Sequence, residues 1–344
     1  MKIAIAMSGG VDSTAAALKL LDEDYYIEGF TMLLFDTEPD LPLENSVEKA
    51  RQVCNDINIK HNVVDLRIEF RESVIDYFIE SYLKGYTPNP CIFCNPTIKF
   101  GALYEFIKQR GFDKLASGHY AKIEKNNFGY NIKKGVDTKK DQSYFLSRIP
   151  KHILKDLIFP LGDTVKAQTV KYLLKKGIHI QSKESQEVCF IPDGKYVEYI
   201  KSKNPDIKKG DFIDQTGNIL GKHNGIPFYT IGQRRGLGVS LGKPGYVRRI
   251  IPETNQIEVG DPLTSSKFII SDLVLYIPEF IEEKLFCKIR YRHNGLYSHI
   301  TKISNDEYEV ELEHAEKSVT PGQAAVFYKD DVVAASGIIN KIIQ

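Results

Sequence analysis

A chain of 344 residues exceeds one ordinary hydrophobic core, so two or three domains are expected. With 42% hydrophobic and 26% charged residues it has the make-up of a folded globular protein, and no apolar run reaches the roughly 18–20 residues a membrane span needs. A formal net charge of +1 excludes neither nucleic acid nor small anions, whereas five scattered cysteines, Cys54, Cys91, Cys94, Cys189 and Cys287, exclude a disulfide framework.

The N-terminal "MKIAIAMSGG" is too short for the apolar region of a signal peptide and runs straight into a glycine turn. It reads as a first strand of a chain expected in the cytoplasm, away from membranes. The helical "STAAALKLL" follows; then "YIEGFTMLLF" alternates with "SVEKARQVCNDI", and "HNVVDL" with "EFRESVIDYFIESYL". After a cysteine-bearing loop, the helical "IKFGALYEFIKQRG" leads into "DKLASGHYA". Short buried strands alternating with helices predict an α/β domain over residues 1–204, with a doubly wound parallel sheet. Such sheets take ligands beyond the carboxyl ends of their strands, where "SGGVDS" follows the first strand. Near residue 205 the texture changes: glycines recur every few residues and long helices vanish, which predicts a small β-rich central domain of hairpins over 205–266. From about Lys267 alternation takes over, as in "EYEVELE", "AAVFY" and "VVAASGII", and predicts a C-terminal β-barrel over 267–344.

In "SGGVDS", Gly9 and Gly10 let successive backbone N–H groups converge at the start of a helix, a cradle for phosphate. It lacks the Lys-Ser/Thr of a Walker A loop and the G-x-G-x-x-G of a dinucleotide site. The plainer reading is a capped strand–helix turn with Asp12 or Ser13 as N-cap. SGGxDS after a first strand resembles the pyrophosphate loop of the ATP pyrophosphatases, which adenylate a carbonyl oxygen and use ATP with Mg²⁺.

"PNPCIFCNPTIKF" (88–100) carries Cys91 and Cys94. A structural zinc would need two further, distant ligands, and a redox pair would need a helix N-terminus, whereas Pro90 and Pro96 fit a loop. Cys189, in "SKESQEVCFIPDG", a strand-like run ended by a turn, could close over the same sheet edge. An activated carbonyl carbon needs a nucleophile; a persulfide on one cysteine supplies it, and a second thiol releases the sulfur by forming a disulfide.

"AMSGGVDS" (6–13), "GFTM" (29–32), "TPNPCIFCNPTIKF" (87–100), "ASGHYA" (116–121), "KDQSYFL" (140–146), "FPLG" (159–162), "SQEVCFI" (185–191), "YTIGQRRGLG" (229–238), "IRYRH" (289–293) and "TPGQAAVFY" (320–328) together resemble the bacterial tRNA-specific 2-thiouridylases, in that family's order. The resemblance implies an adenine nucleotide hydrolase-like N-terminal domain and a sulfurtransferase. That enzyme would thiolate the wobble uridine of tRNAs for Lys, Glu and Gln at C2, through adenylation of O2 and a cysteine persulfide. It implies catalytic roles for Cys94 and for Cys189 as persulfide carrier, with a transient Cys94–Cys189 disulfide. ATP contacts would come from Ala6, Met7, Ser8, Gly9, Gly10, Val11, Asp12, Ser13, Met32 and Gly118. The tRNA anticodon stem-loop would meet Asn89, Pro90, Cys91, His119, Lys140, Asp141, Gln142, Arg290, Tyr291 and Gln323, and a persulfide donor or relay protein would supply the sulfur.

Two positions depart from the family pattern. Some members carry Asp where Cys91 stands, and a thiol of pKa about 8.5 is a poor substitute for a carboxylate, so Cys91 is given no catalytic role. The stretch after "FPLG" reads "DTVKAQTVKYL", without the Glu-Val-Arg the family commonly has near Gln168 to Val170. An alternative sulfur carrier is a [4Fe–4S] cluster on Cys91, Cys94 and Cys189. A different class is an RNA-binding module without catalysis, and a different enzyme is an amide-forming ATP pyrophosphatase, which would need neither Cys94 nor Cys189. Cys54 and Cys287 read as core, and His119 has a plain reading as a satisfied histidine at a strand end. The basic pairs Lys139-Lys140, Lys208-Lys209, Arg234-Arg235 and Arg248-Arg249, with "KIRYR" at 288–292, read as solvated surface or as RNA-backbone contacts.

Overall fold

The computed structural model describes residues 1–35, 44–180, 188–191, 194–239, 242, 244–317 and 319–343. They form two units, one of Met1–Val74, Cys91–Pro192 and Asp330–Val333, the other of Ile75–Pro90, Asp193–Lys329 and Ala334–Gln344. The chain opens with β1 (Lys2–Ala6), α1 (Val11–Asp22), β2 (Tyr26–Leu33), α2 (Glu44–Asp56), β3 (Lys60–Asp65) and α3 (Arg67–Phe70). A π-helical turn, Arg71–Ile75, precedes α4 (Asp76–Leu83). Next come α5 (Pro90–Cys94), a second π-helical stretch (Asn95–Ala102), α6 (Leu103–Gln109), β4 (Lys114–Ala116), the hairpin β5 (Ala121–Asn126) and β6 (Gly129–Lys134), α7 (Ser143–Leu146), β7 (Leu157–Ile158), α8 (Lys166–Lys175) and α9 (Tyr196–Lys203).

In the first unit a parallel sheet runs β3-β2-β1-β4-β7, with Ile3 opposite both Ile27 and Lys114. The chain leaves β1 towards one edge and returns to pair β4 on its other side, so the loop after β1 lies at the topological switch point. α1 is buried from Ser13 to Leu18, and its Ala15, Ala16 and Ala17 lie in one core with Ile3, Ile5, Cys54 and Ala116. Small side chains let this helix lie close to the sheet, which is why the loop that opens it is held in one place.

The second unit holds β8 (Gly210–Ile213), β9 (Ile219–His223), β10 (Tyr246–Ile251) and β11 (Gln256–Gly260) as a sheet in the order β10-β11-β8-β9. It is more than the hairpins expected, because β11 pairs with β8 in parallel. The stretch "YTIGQRRGLG" forms turns rather than a ladder, with positive φ at Gly232, Gly236 and Gly238. Then β12 (Ser265–Leu275), β13 (Leu285–Lys288), β14 (Leu296–Lys302), β15 (Glu307–Glu316), β16 (Ala324–Lys329) and β17 (Val332–Ile343) follow in the order β12-β15-β14-β13-β16-β17. Pairing of β12 with β17 closes them into a barrel around Phe268, Cys287, Val310 and Phe327. Alternation puts these residues inside, as the sequence requires.

Three local expectations are corrected. The N-cap of α1 is Gly10, in extended backbone, not Asp12 or Ser13; the Asp12 carboxylate is engaged elsewhere, and Ser13 Oγ hydrogen-bonds Gly10 O at 3.1 Å. Residues 90–94 are helix rather than loop. Pro90 opens α5 and Pro96 sits in the first turn of the π stretch, positions where a missing N–H costs no hydrogen bond. Cys189 sits in a turn rather than a strand, and Ser185, Gln186 and Glu187 of its motif lie outside the described residues.

Candidate active site

The loop between β1 and α1 is built by two backbone demands. Gly9 has φ +70°, and a Cβ there would lie 2.7 Å from Ala50 N of α2, so only glycine fits. On the other side, a Cβ on Gly118 would meet Asp12 C at 2.6 Å and Ser13 N at 2.8 Å. The chain after β4 therefore packs directly on the first turn of α1. Ser8 N and Ser8 Oγ both meet Ser13 Oγ, at 3.3 and 3.2 Å. Met7 O accepts Thr31 Oγ1 at 2.9 Å, which ties the loop to β2 one residue before Met32. The N-terminal N–H groups of a 12-residue helix face this end of the sheet, as an anion requires.

Asp12 carries the charge of this loop inward. Lys166 Nζ donates to both of its oxygens, at 2.7 and 2.8 Å, and the Tyr120 hydroxyl donates to Oδ1 at 2.8 Å. Tyr120 is itself 3.0 Å from Thr169 Oγ1, and burial, then Asp12, push its phenol well above its ordinary range. Lys166 is the first residue of α8, and its N–H donates to Asp137 Oδ2 at 2.9 Å. The stretch "DTVKAQTVKYL" thus does bring a basic side chain to the loop, from Lys166, two to four residues before Gln168 to Val170, where the family's basic residue is absent. Its sequence signal is weak, since a lysine at a helix start is ordinarily surface.

A second cluster lies in the same unit. Cys91 and Cys94 sit on α5, Lys99 on the π stretch, His119 three residues past β4, and Cys189 in its turn. The thiols are free; Cys91 and Cys189 reach solvent and Cys94 is half-buried. Protein packed around the sulfurs still dominates their titration. Cys94 is pushed up to about 12 by burial, with Lys99 pulling down and Cys91 pushing up. Cys189 is likewise pushed up to about 12, by burial first, then by Cys94 and Cys91, against the pull of Lys99. Cys91 is raised by burial against the same lysine. Cys189 therefore feels the Cys91–Cys94 pair, distant along the chain, with Cys94 its stronger neighbour, and all three thiols feel one ammonium.

His119 joins them through Lys99 Nζ, 3.4 Å from Nε2, while its Nδ1 lies 2.7 Å from Ser117 Oγ. Burial and then Lys99 hold its pKa well below the ordinary value, so the ring is neutral. Among the described residues no group of three His, Cys, Asp or Glu side chains is arranged as a metal-ligand set. Cys54 and Cys287 are fully buried, in the cores of the sheet and the barrel.

The residues expected at tRNA divide between the units. In the first, Asp141 spends its carboxylate on Gly135 N, Ser143 N and Ser143 Oγ, and Gln142 Oε1 accepts Tyr120 N. Both shape the loop that presents half-buried Lys140. In the second unit, Gln323 Nε2 donates to Thr87 O at 2.7 Å, Thr87 N to Pro321 O at 2.9 Å, and Arg290 Nη2 to Thr320 Oγ1 at 2.6 Å. Asn89, Pro90, Arg290, Tyr291 and Gln323, scattered in sequence, are gathered there around the Thr87 and Thr320 segments.

Residues 1–193 match the family model described as a tRNA methyl transferase HUP domain, 197–261 the tRNA methyl transferase PRC-barrel domain, and 265–339 an aminomethyltransferase beta-barrel domain. The chain is 44% identical over 354 residues to the tRNA-specific 2-thiouridylase MnmA of Syntrophomonas wolfei, covering 98% of this chain and 100% of that protein. It belongs to the tRNA-specific 2-thiouridylase family. Two further members, from Carboxydothermus hydrogenoformans and Clostridioides difficile, are 40% and 41% identical, and each match covers 99% of this chain and 98% of the relative. Lys166, paired with Asp12, and Lys99, beside His119, are the members of these two clusters that sequence reasoning missed. Among the described residues, no helix is long and apolar enough to cross a membrane.

Proposed function

We propose that the protein is a tRNA-uridine 2-sulfurtransferase that replaces O2 of the wobble uridine in tRNAs for Lys, Glu and Gln with sulfur, in the cytoplasm. ATP with Mg²⁺ as its counter-ion binds at Ala6 to Ser13, Met32 and Gly118. O2 attacks the α-phosphorus and diphosphate leaves, which makes C2 an electrophile. The target base leaves its stack to reach the site. The terminal sulfur of a Cys189 persulfide, loaded by a donor protein, then attacks C2, and the C2–O2 bond breaks with loss of AMP. The Cys94 thiolate attacks the Cys189 sulfur, the S–S bond to the uridine breaks, and 2-thiouridine departs from a Cys94–Cys189 disulfide. An external thiol reduces that disulfide for the next turn.

Residues 1–204 carry this chemistry, while 205–266 and 267–344 hold the tRNA, with Asn89, Pro90, Cys91, His119, Lys140 to Gln142, Arg290, Tyr291 and Gln323 as contacts. The observation that supports the reading is that Cys189, nearly a hundred residues further along the chain, is brought near enough to Cys94 for that thiol to act on it, in the unit that also holds the glycine loop opening α1. A module that only binds RNA, or an amide-forming relative, would need neither thiol. The test is nucleoside mass analysis of tRNA after incubation with ATP and a persulfide donor. Cys94→Ser and Cys189→Ser lose all product, because a hydroxyl carries no sulfur, and Cys54→Ala keeps it. Thiolated tRNA made by Cys189→Ser would sink the mechanism. A methyl-group mass increment instead of oxygen-for-sulfur exchange would favour the transfer named in the family-model descriptions.

A further inference from the structure

Lys99 has no part in the sulfur transfer written above, yet its place in the fold is specific. It follows Cys94 by five residues, which in an α-helix would turn it about 140° away from that cysteine. The stretch Asn95–Ala102 is π-helical, with Leu103 N–H bonded to Ile98 O, five residues back. That wider turn returns residue i+5 towards the side of residue i. Lys99 accordingly rises beside Cys94, and its ammonium acts on Cys91, Cys94 and Cys189 alike.

The hydrogen bonds around it fix which group bears the charge. An ammonium only donates, so His119 Nε2, 3.4 Å away, accepts, and Nδ1–H donates to Ser117 Oγ at 2.7 Å. The imidazole, set between the rings of Phe100 and Phe159 at 5.7 Å from each, is neutral with both nitrogens engaged. The other charged groups nearby are directed elsewhere. Arg148 lies 5.9 Å over the Phe93 ring, and on α3, which packs on the π stretch, Arg67 pairs with Asp65 while Glu69 is exposed. Among the described residues no carboxylate pairs with Lys99, so its charge is directed at the sulfurs.

We propose that Lys99 is the positioning cation of the sulfur site, favouring the charged, nucleophilic forms of the Cys94 and Cys189 sulfurs against the protein packed around them. This rests on the persulfide reading above for its purpose but not for its test. His119 orients the lysine by accepting one of its protons, and the π turn sets its height over Cys94.

The test is iodoacetamide alkylation of the full-length protein across neutral to alkaline pH, quantified separately for the Cys94 and Cys189 peptides by mass spectrometry. Lys99→Met removes the charge, and alkylation of both cysteines should slow about tenfold at each pH below the midpoint, the effect of losing one opposite charge. Lys99→Arg should restore the rate to within about threefold, which a merely structural lysine would not require. Should methionine unfold the π turn, Lys99→Gln, which keeps a donor towards His119, should show the same slowing. Wild-type alkylation in a folded Lys99→Met protein would overturn the assignment, even if that protein thiolates tRNA and so leaves the persulfide reading standing. Slowed alkylation in a protein whose Cys189 never carries sulfur would keep the role of Lys99 and remove the persulfide reading instead.

Discussion

At the scale of single residues, Gly9 is where the chemistry of the loop depends on a missing side chain. Its φ of +70° and the 2.7 Å from an added Cβ to Ala50 N mean that Gly9→Ala forces loop and α2 apart. Left-handed strain and the clash together should cost about 1–3 kcal/mol, read by urea denaturation, and AMP formation should fall with it. An alanine variant of unchanged stability and turnover would show that the loop relaxes freely. The glycine was legible as a loop residue from "SGGVDS", but its partner Ala50 was not, because that contact joins positions 41 residues apart along the chain. Lys166 makes the same point. Its bidentate contact with Asp12 spans the first helix of the unit and α8, and a lysine at a helix start carries no local mark of such a partner.

At the scale of elements, the π stretch decides where Lys99 stands relative to Cys91 and Cys94. Proline flanks read as loop signals, yet the same prolines are tolerated where a helix begins, and no local pattern announces a switch from i→i+4 to i→i+5 bonding. Gly101 is the element's own requirement, since a Cβ there would lie 2.7 Å from Pro96 O. Gly101→Ala should open the turn at a cost of about 1–3 kcal/mol in thermal or urea unfolding. It should also slow alkylation of Cys94, because Lys99 turns away from it. Loss of stability with an unmoved alkylation rate would detach the π turn from thiol reactivity. By contrast α6, β4 and the strand–helix alternation of the first half needed no tertiary information, because their apolar spacing is already that of their final burial.

At the scale of the whole molecule, net charge near zero conceals unequal use of the basic pairs. Arg248 is spent on Glu258 Oε1 at 2.7 Å and on Asp261 O at 2.6 Å, while Lys208, Lys209, Arg234 and Arg235 are exposed. tRNA binding should therefore weaken with salt, with a log–log slope of roughly −0.7 to −0.9 per phosphate contact. Arg234→Ala and Arg235→Ala should each make that slope shallower by about one contact, measured by filter binding over a salt series. Arg248→Ala should lower stability and leave the slope alone. A slope unmoved by either exposed arginine would return that pair to solvated surface. The parallel sheet, the barrel and the glycine loop that opens α1 were determined by the sequence itself. Periodicity and glycine spacing are local properties, and burial of one face per element leaves few ways to stack them. The tertiary structure alone decided that Cys189 comes within the influence of Cys94, that Lys99 acts on both, and that Lys166 grips Asp12. Each of these is a meeting of residues distant along the chain or turned by an uncommon helix, and such meetings follow from packing, which spacing within a short window cannot record.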